Sequence, residues 1–259
     1  MSTWILLRGL AREKRHWGCF QTQWLAAFPE THMIAVDLPG TGEVNAIASP
    51  MSIEETAVQC RLEAAGMGIS PPYNLLAMSM GGMVAAAWAQ NHPGEVEACV
   101  LINTSFGSFS PLHHRMRPRA WLTLLRFLLT PSTAGREHLV FLLTSSLGKP
   151  TENLIEDWVA IRKSQPVRIE NALRQLMAAA TFKAPSAAPV PTLLLASSGD
   201  RLVNPSCSTD IARRWNCTIA IHPSGGHDLP LDDGPWIAEQ VNDWLTGGGS
   251  PANGLQASS

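Results

Sequence analysis

Three residues far apart in the chain, Ser79, Asp200 and His227, are of the types that together perform nucleophilic acyl chemistry. A hydroxyl attacks, an imidazole takes its proton, and a carboxylate holds the imidazole in the right tautomer. Ser79 stands in Ala77-Met78-Ser79-Met80-Gly81-Gly82, after the apolar run Tyr73-Asn74-Leu75-Leu76 and at the start of a helical pattern from Met83 to Trp88. A strand that turns abruptly into a helix through a serine presents the hydroxyl on a strained backbone. Residues two before and two after must then be small, and Ala77 and Gly81 satisfy that demand. Glycine is usual at the first of these positions, so Ala77 is a tolerable departure. Taken alone, the motif also fits an ordinary strand-to-helix turn whose glycines serve packing.

His227 lies on the Gly-rich stretch Pro223-Ser224-Gly225-Gly226-His227-Asp228, directly after a short strand pattern, where a loop can swing over the edge of a sheet. A lone histidine there would more often be a surface or packing residue, and His222, at the strand's end, is the weaker candidate base. Asp200 follows the apolar run Leu193-Leu194-Leu195-Ala196 within Ser198-Gly199-Asp200-Arg201; alone it reads as a turn aspartate. The order Ser, Asp, His, each just past a strand, makes the three signals stronger together than apart. Acyl chemistry also needs donors for an oxyanion. The backbone N–H of Met80, at a helix start, is one candidate. The backbone N–H of Leu10 is the second, because Gly9 lets the loop after the first strand pass close to the site.

These residues need a scaffold, and the pattern supplies one. Strand-like runs at 4–7, 33–36, 73–78, 98–102, 192–196 and 218–221 alternate with helical patterns at 19–28, 53–65, 80–91, 209–215 and 236–245. Such alternation predicts an α/β fold with a mostly parallel sheet of about six strands covered by helices on both faces. Residues 104–183 break it: they are Leu- and Arg-rich, look helical throughout, and leave through Ala184-Pro185-Ser186-Ala187-Ala188-Pro189. The expected organisation is a core of 1–103 and 184–246, a helical lid of 104–183 above the strands' carboxyl ends, and a Gly/Ser-rich disordered tail of 247–259.

Arg8-Gly9-Leu10, Asp37-Leu38-Pro39-Gly40-Thr41-Gly42, the Ser79 elbow, Gly199-Asp200 and Gly226-His227 together resemble the α/β-hydrolase superfamily, in its compact, helical-lidded serine esterase type. That type includes carboxylesterases and hydrolases of acyl-carrier-protein esters. The resemblance spans almost the whole chain except the lid and tail. It implies a Ser79–Asp200–His227 triad, oxyanion donors at Leu10 and Met80, and no cofactor. Two departures stand out. Arg8 replaces the usual histidine that supports the oxyanion loop, and the chain begins at what would be the family's third strand.

Composition narrows the setting. The chain has 259 residues, 45% hydrophobic and 15% charged, with a formal net charge of −2, which gives no reason to expect nucleic acid as a partner. Its five cysteines are odd in number and form no C-x-x-C pair, so a reducing compartment is expected. With no signal-peptide pattern and no apolar run of membrane-spanning length, a cytoplasmic location follows. No metal site is expected: His113-His114 reads as a solvated loop pair, and Gly40-Thr41-Gly42 lacks a third glycine for dinucleotide binding.

The lid is basic. Residues 104–183 carry eight Arg and three Lys against four Glu and one Asp, a net of +6. This is either a solvated face or a surface for an anionic carrier or acidic substrate, with Arg115, Arg117, Arg119 and Trp121 as candidate contacts. The expected function is carboxylic-ester hydrolysis through an acyl-enzyme, on a small-molecule acyl ester. Thioester hydrolysis, C–C bond hydrolysis and acyl transfer use the same three residues, and a non-catalytic, receptor-like binding protein is the alternative of a different class.

Overall fold

A computed structural model describes residues 2–247; residues 248–259, most of the expected tail, lie outside the described residues. Six strands, β1 (Thr3–Leu7), β2 (His32–Val36), β3 (Tyr73–Met78), β4 (Val96–Ile102), β5 (Thr192–Ser197) and β6 (Thr218–His222), form one sheet in the order β2-β1-β3-β4-β5-β6. Every neighbouring pair is parallel. The structure thus has the α/β-hydrolase architecture and the strand number expected.

The strands read as continuous apolar runs because both faces are covered. On one face Ile5, Leu7, Leu75, Cys99, Leu101 and Leu194 pack beneath α2 (Ile53–Gly66), α3 (Met80–Asn91) and α9 (Ser206–Trp215). On the other, Trp4, Leu6, Leu76, Met78, Val100, Leu193 and Leu195 meet α1 (Phe20–Ala27) and α11 (Gly234–Thr246), with Trp24 edge-on to Trp4 at 4.8 Å. Alternation inside each strand assigns side chains to the two cores. Helix starts are capped where the sequence offers a short acceptor: Ser52 Oγ accepts from Glu55 N–H at 3.2 Å, and the Asp233 carboxylate from Trp236 N–H at 3.1 Å.

Chain order reverses between β1 and β3: the chain runs from β1 out to β2, then returns to lay β3 on β1's other side. This is a topological switch point, where open α/β sheets leave a crevice at the strands' carboxyl ends. Register keeps those ends level: Leu7 lies beside Ala77, Met78 beside Ile102, Ile102 beside Leu195, and Ser197 beside His222. The segments after β1, β3, β4, β5 and β6 therefore meet along one rim.

Between β4 and β5 the chain forms five helices: α4 (Leu112–Arg115), α5 (Pro118–Leu129), α6 (Thr133–Thr144), α7 (Leu154–Ser164) and α8 (Ile169–Thr181). No helix among the described residues is long and apolar enough to cross a membrane. One local expectation is corrected. His113 and His114 stand in the one-turn helix α4 instead of a free loop, and His114 is half-buried, its carbonyl accepting from Asn204 N–H at 2.8 Å. One-turn elements such as α4 and α10 (Leu229–Asp232) and the 3-10 turn Lys14–Trp17 are too short to show a period.

Candidate active site

Ser79 is the hinge between β3 and α3, at φ 56° and ψ −120°. A non-glycine residue in this region costs of order 1–3 kcal/mol and persists only where its surroundings impose it. Here they do. Ser79 N–H donates to the Ile102 carbonyl at 2.8 Å, and Thr104 Oγ1 donates to the Ser79 carbonyl at 2.8 Å. The need for small neighbours is explicit. A β-carbon on Gly81 would stand 2.4 Å from the Leu7 carbonyl oxygen and 2.6 Å from that of Arg8, and one on Gly9 would stand 3.0 Å from Ser79 Cβ. The end of β1 and the Ser79 elbow are therefore in direct contact.

His227 and Asp200 meet just past the ends of β5 and β6. His227 Nδ1 lies 2.7 Å from Asp200 Oδ2, and both side chains are buried. Asp200 Oδ1 accepts from the N–H groups of Leu202 and Val203 at 2.7 and 2.8 Å, which fixes the carboxylate plane and leaves the second oxygen for the imidazole. Gly199 has no room for a side chain, since a β-carbon would come 2.5 Å from the Ser224 carbonyl oxygen. The loops bearing Asp200 and His227 thus press together.

Among the described residues Ser79 Oγ makes no hydrogen bond to His227. Their placement is tied through consecutive residues after β4: Thr104 holds the Ser79 carbonyl, while Asn103 Nδ2 donates to the His227 carbonyl at 2.9 Å, the Gly226 carbonyl at 3.0 Å and Ser197 Oγ at 3.0 Å. Adjacent Cα atoms are about 3.8 Å apart, so both halves are anchored on one short length of backbone. Catalytic hydrogen bonds are often long without substrate and tighten when it binds.

The two candidate oxyanion donors directly follow two residues in contact, Leu10 after Gly9 and Met80 after Ser79. Neither Met80 N–H nor Leu10 N–H has a hydrogen-bond partner among the described residues. Met80 opens α3, where the first-turn N–H groups have no intrahelical acceptor and the helix dipole favours negative charge. The Leu10 loop is held from the insertion: Ala11 N–H donates to Gln175 Oε1 of α8 at 2.9 Å, and Arg12 pairs with the buried Glu137 of α6 at 3.0 Å. Glu137 also pairs with Arg162 of α7, and Arg12 stacks over Trp158 at 4.2 Å. Burial pulls the Arg12 guanidinium below its ordinary pKa, with Glu137 opposing that shift.

The remaining aspartates and His222 are occupied elsewhere. Asp232 accepts from Ser145 Oγ, Ser146 and Gly226 N–H, and Asp233 caps α11. His222 Nδ1 accepts from Gly225 N–H at 2.6 Å and shapes the Gly-rich loop. Asp228 pairs with Arg8. The four lid candidates separate. Arg115 donates to the Ala179 carbonyl at 2.7 Å, and burial lowers its pKa; Arg117 donates to the Asp200 carbonyl at 2.6 Å. Arg119 and Trp121 are exposed on the first turn of α5. Asn103, Thr104 and Glu137 escape a sequence reading. Asn103 alone carries a signal, being a polar residue directly after the run Val100-Leu101-Ile102, as Asp200 is a polar residue shortly after its own strand.

The buried thiols are inert: burial pushes the Cys99 pKa up to about 12. All five cysteines are free.

Among solved structures the fold resembles an esterase from Thermogutta terrifontis (20% identity, 95% of this chain and 90% of that chain, TM-score 0.73). It also resembles the esterase EaEST from Exiguobacterium antarcticum (15%, 95% and 92%, 0.74). A third is BpoC of Mycobacterium tuberculosis H37Rv, a candidate non-heme bromoperoxidase (17%, 95% and 92%, 0.73). No curated protein sequence matches. The model of the family described as serine aminopeptidase, S33, matches residues 55–234, from α2 through Ser79, the helical insertion and Asp200 to His227. The chain therefore belongs to the serine aminopeptidase S33 family of α/β-hydrolases.

Proposed function

We propose that the protein is a serine hydrolase that cleaves small-molecule carboxylic esters through an acyl-enzyme, with Ser79, His227 and Asp200 as its triad. The observation that carries this reading is the buried His227–Asp200 contact of 2.7 Å, held over the same strand ends that force Ser79 into its strained turn.

Ser79 Oγ attacks the acyl carbon and passes its proton to His227 Nε2, while Asp200 stabilises the imidazolium through Nδ1. The developing oxyanion takes the N–H groups of Met80 and Leu10. Collapse expels the alcohol, which leaves with the proton from His227. Water then attacks the acyl-Ser79 carbonyl, returning a proton to His227; the acid departs and Ser79 Oγ regains its hydrogen. No cofactor enters these steps. In this reading residues 104–183 form a lid on the core of 1–103 and 184–246, and its apolar side chains shape the acyl pocket. Arg119, exposed on the first turn of α5, is the basic residue of the Arg115, Arg117 and Arg119 cluster still available to an anionic carrier or acidic substrate. We place the protein in the cytoplasm, in keeping with its unpaired cysteines.

Ser79→Ala is expected to lower kcat on a p-nitrophenyl ester by about 10³-fold or more while the fold is retained. Turnover that survives the substitution would remove Ser79 from the mechanism. Because the family's description names an aminopeptidase, amino-acid p-nitroanilides belong in the same assay. Ester cleavage well above amide cleavage supports the proposal, and the reverse would redirect it to peptides.

A further inference from the structure

Arg8 and Asp228 form a fully buried ion pair across 220 positions of sequence: Nη1 to Oδ1 at 3.1 Å and Nη2 to Oδ2 at 2.7 Å, with side-chain exposures of 2% and 4%. Their neighbours make the pair more than a packing detail. Arg8 directly precedes Gly9, which abuts Ser79, and is two residues from Leu10. Asp228 directly follows His227. The pair therefore ties the loop offering an oxyanion donor to the loop offering the base.

We infer that the Arg8–Asp228 pair is a positioning clamp that sets the spacing between the Leu10 N–H and the His227 ring. The inference rests on the serine-hydrolase reading and extends it. Four observations support it. The contact is bidentate, and a planar guanidinium fork on a carboxylate fixes direction as well as distance. Both ends are braced: Arg8 lies over the Trp17 ring at 4.9 Å, and Asp228 N–H donates to the Thr144 carbonyl at 2.7 Å. The Arg8 carbonyl also backs onto Gly81, so displacement of Arg8 would be felt at the elbow.

The fourth observation is energetic. Desolvating two charges costs about as much as their attraction returns, so a buried pair is a poor stabiliser compared with apolar residues of similar volume, although removing one partner alone is strongly destabilising. Stability does not account for this pair, whereas geometry does. His227 is otherwise held through its ring by Asp200 and its carbonyl by Asn103, and neither contact reaches the β1 loop. The clamp supplies that missing link. Position 8 holds the residue whose fork can engage both oxygens of Asp228.

The test is the double variant Arg8→Met/Asp228→Leu, which removes both charges and keeps volume, beside Arg8→Lys, which keeps the charge and loses the fork. Three readouts are taken on the full chain: kcat and KM on p-nitrophenyl butyrate, Tm, and hydrogen–deuterium exchange of segments 8–12 and 226–229. Expected for the double variant are a near-native Tm, kcat lower by on the order of 10²-fold with KM little changed, and faster exchange in both segments together. Arg8→Lys should fall between it and the parent. A folded double variant with kcat within about twofold of the parent and unchanged exchange overturns the inference, as does a folded Arg8→Lys protein with native kcat and exchange. If the parent itself neither turns over nor labels at Ser79 with a fluorophosphonate, the hydrolase reading fails on its own, and the exchange data still decide whether the pair couples the loops.

Discussion

The rim of the sheet and the helical insertion above it treat their side chains in opposite ways. Along the rim Arg8, Asn103, Thr104, Asp200, His227 and Asp228 are polar, buried and hydrogen-bonded to named partners. In α5 of the insertion, Trp121, Leu122, Leu125, Leu128 and Leu129 are apolar and exposed, Leu129 to 75%. At 100° per residue these five fall on one arc, so α5 turns an apolar face outward and buries only Ala120. The rim is determined by the sheet, because parallel register brings five strand ends to one line and the polar groups lock to each other. The insertion is anchored by specific contacts: Glu137, Asn171 and Gln175 hold it to the loops below, and Arg117 grips the Asp200 carbonyl. Polar groups locked to fixed partners belong to the rim, and an outward apolar face belongs to the insertion.

That contrast breaks if rim substitutions prove mild. Asp200→Asn keeps the shape but can stabilise the wrong imidazole tautomer, so kcat on a p-nitrophenyl ester should drop roughly 10³–10⁴-fold with Tm little changed. A loss under tenfold would mean that another carboxylate orients His227. Gly81→Ala is next. Its new methyl would meet backbone oxygens of Leu7 and Arg8 that cannot move cheaply, so destabilisation of about 3 kcal/mol is expected in urea melts, with activity falling as the elbow shifts.

A pH test probes the ground beneath the oxyanion loop. Burial, reinforced by Arg12 and Arg8, holds the buried His16 well below its ordinary pKa of 6.5, and its Nδ1 accepts from Glu13 N–H at 3.1 Å as a neutral ring does. The unfolded chain therefore takes up the proton first: this contribution is complete above pH 6.5 and is lost as pH falls below it. Asp37 has the opposite sign. Its pKa is raised by burial, so in the folded protein it protonates before it does in the unfolded chain, and it offsets part of the loss as pH falls from that raised value toward 3.8. Tm should decline from pH 7.5 to 5.5, and His16→Gln should flatten that slope; an unchanged slope would place the acid sensitivity elsewhere.

The smallest effect is expected on the insertion. Leu125→Ser and Leu129→Ser should alter stability by no more than about 0.5 kcal/mol in either direction, because those side chains gain little from folding. A larger loss would show that this face is covered in solution, and a change in preference between short and long acyl esters would link it to the proposed acyl pocket.

Much of the rim was readable from sequence because each element leaves a local mark. Buried parallel strands are apolar runs, the elbow needs small residues on both sides of Ser79, and Asp200 and His227 follow strands next to glycines. What sequence could not supply were pairings between remote positions. Arg8 reads in sequence as a departure that leaves its loop's packing open, and nothing local to Asp228 reveals that it answers Arg8. In the sequence Asn103 merely closes the first core segment and Thr104 begins the insertion, yet they anchor both halves of the candidate site. The arginine cluster shows the converse: composition marked Arg115, Arg117 and Arg119 alike, while packing directs the first two to backbone carbonyls and leaves the third in solvent. Charge is visible along a sequence, but whether a guanidinium is already occupied is decided by what folds against it.

The most direct test of the central claim is to look for the acyl-enzyme. Rapid acid quench of the protein with p-nitrophenyl acetate, followed by intact-mass and peptide analysis, should show one acetyl group on the peptide containing Ser79, and none in Ser79→Ala. Ester turnover without that adduct, or an adduct on another residue that persists in Ser79→Ala, would contradict the account.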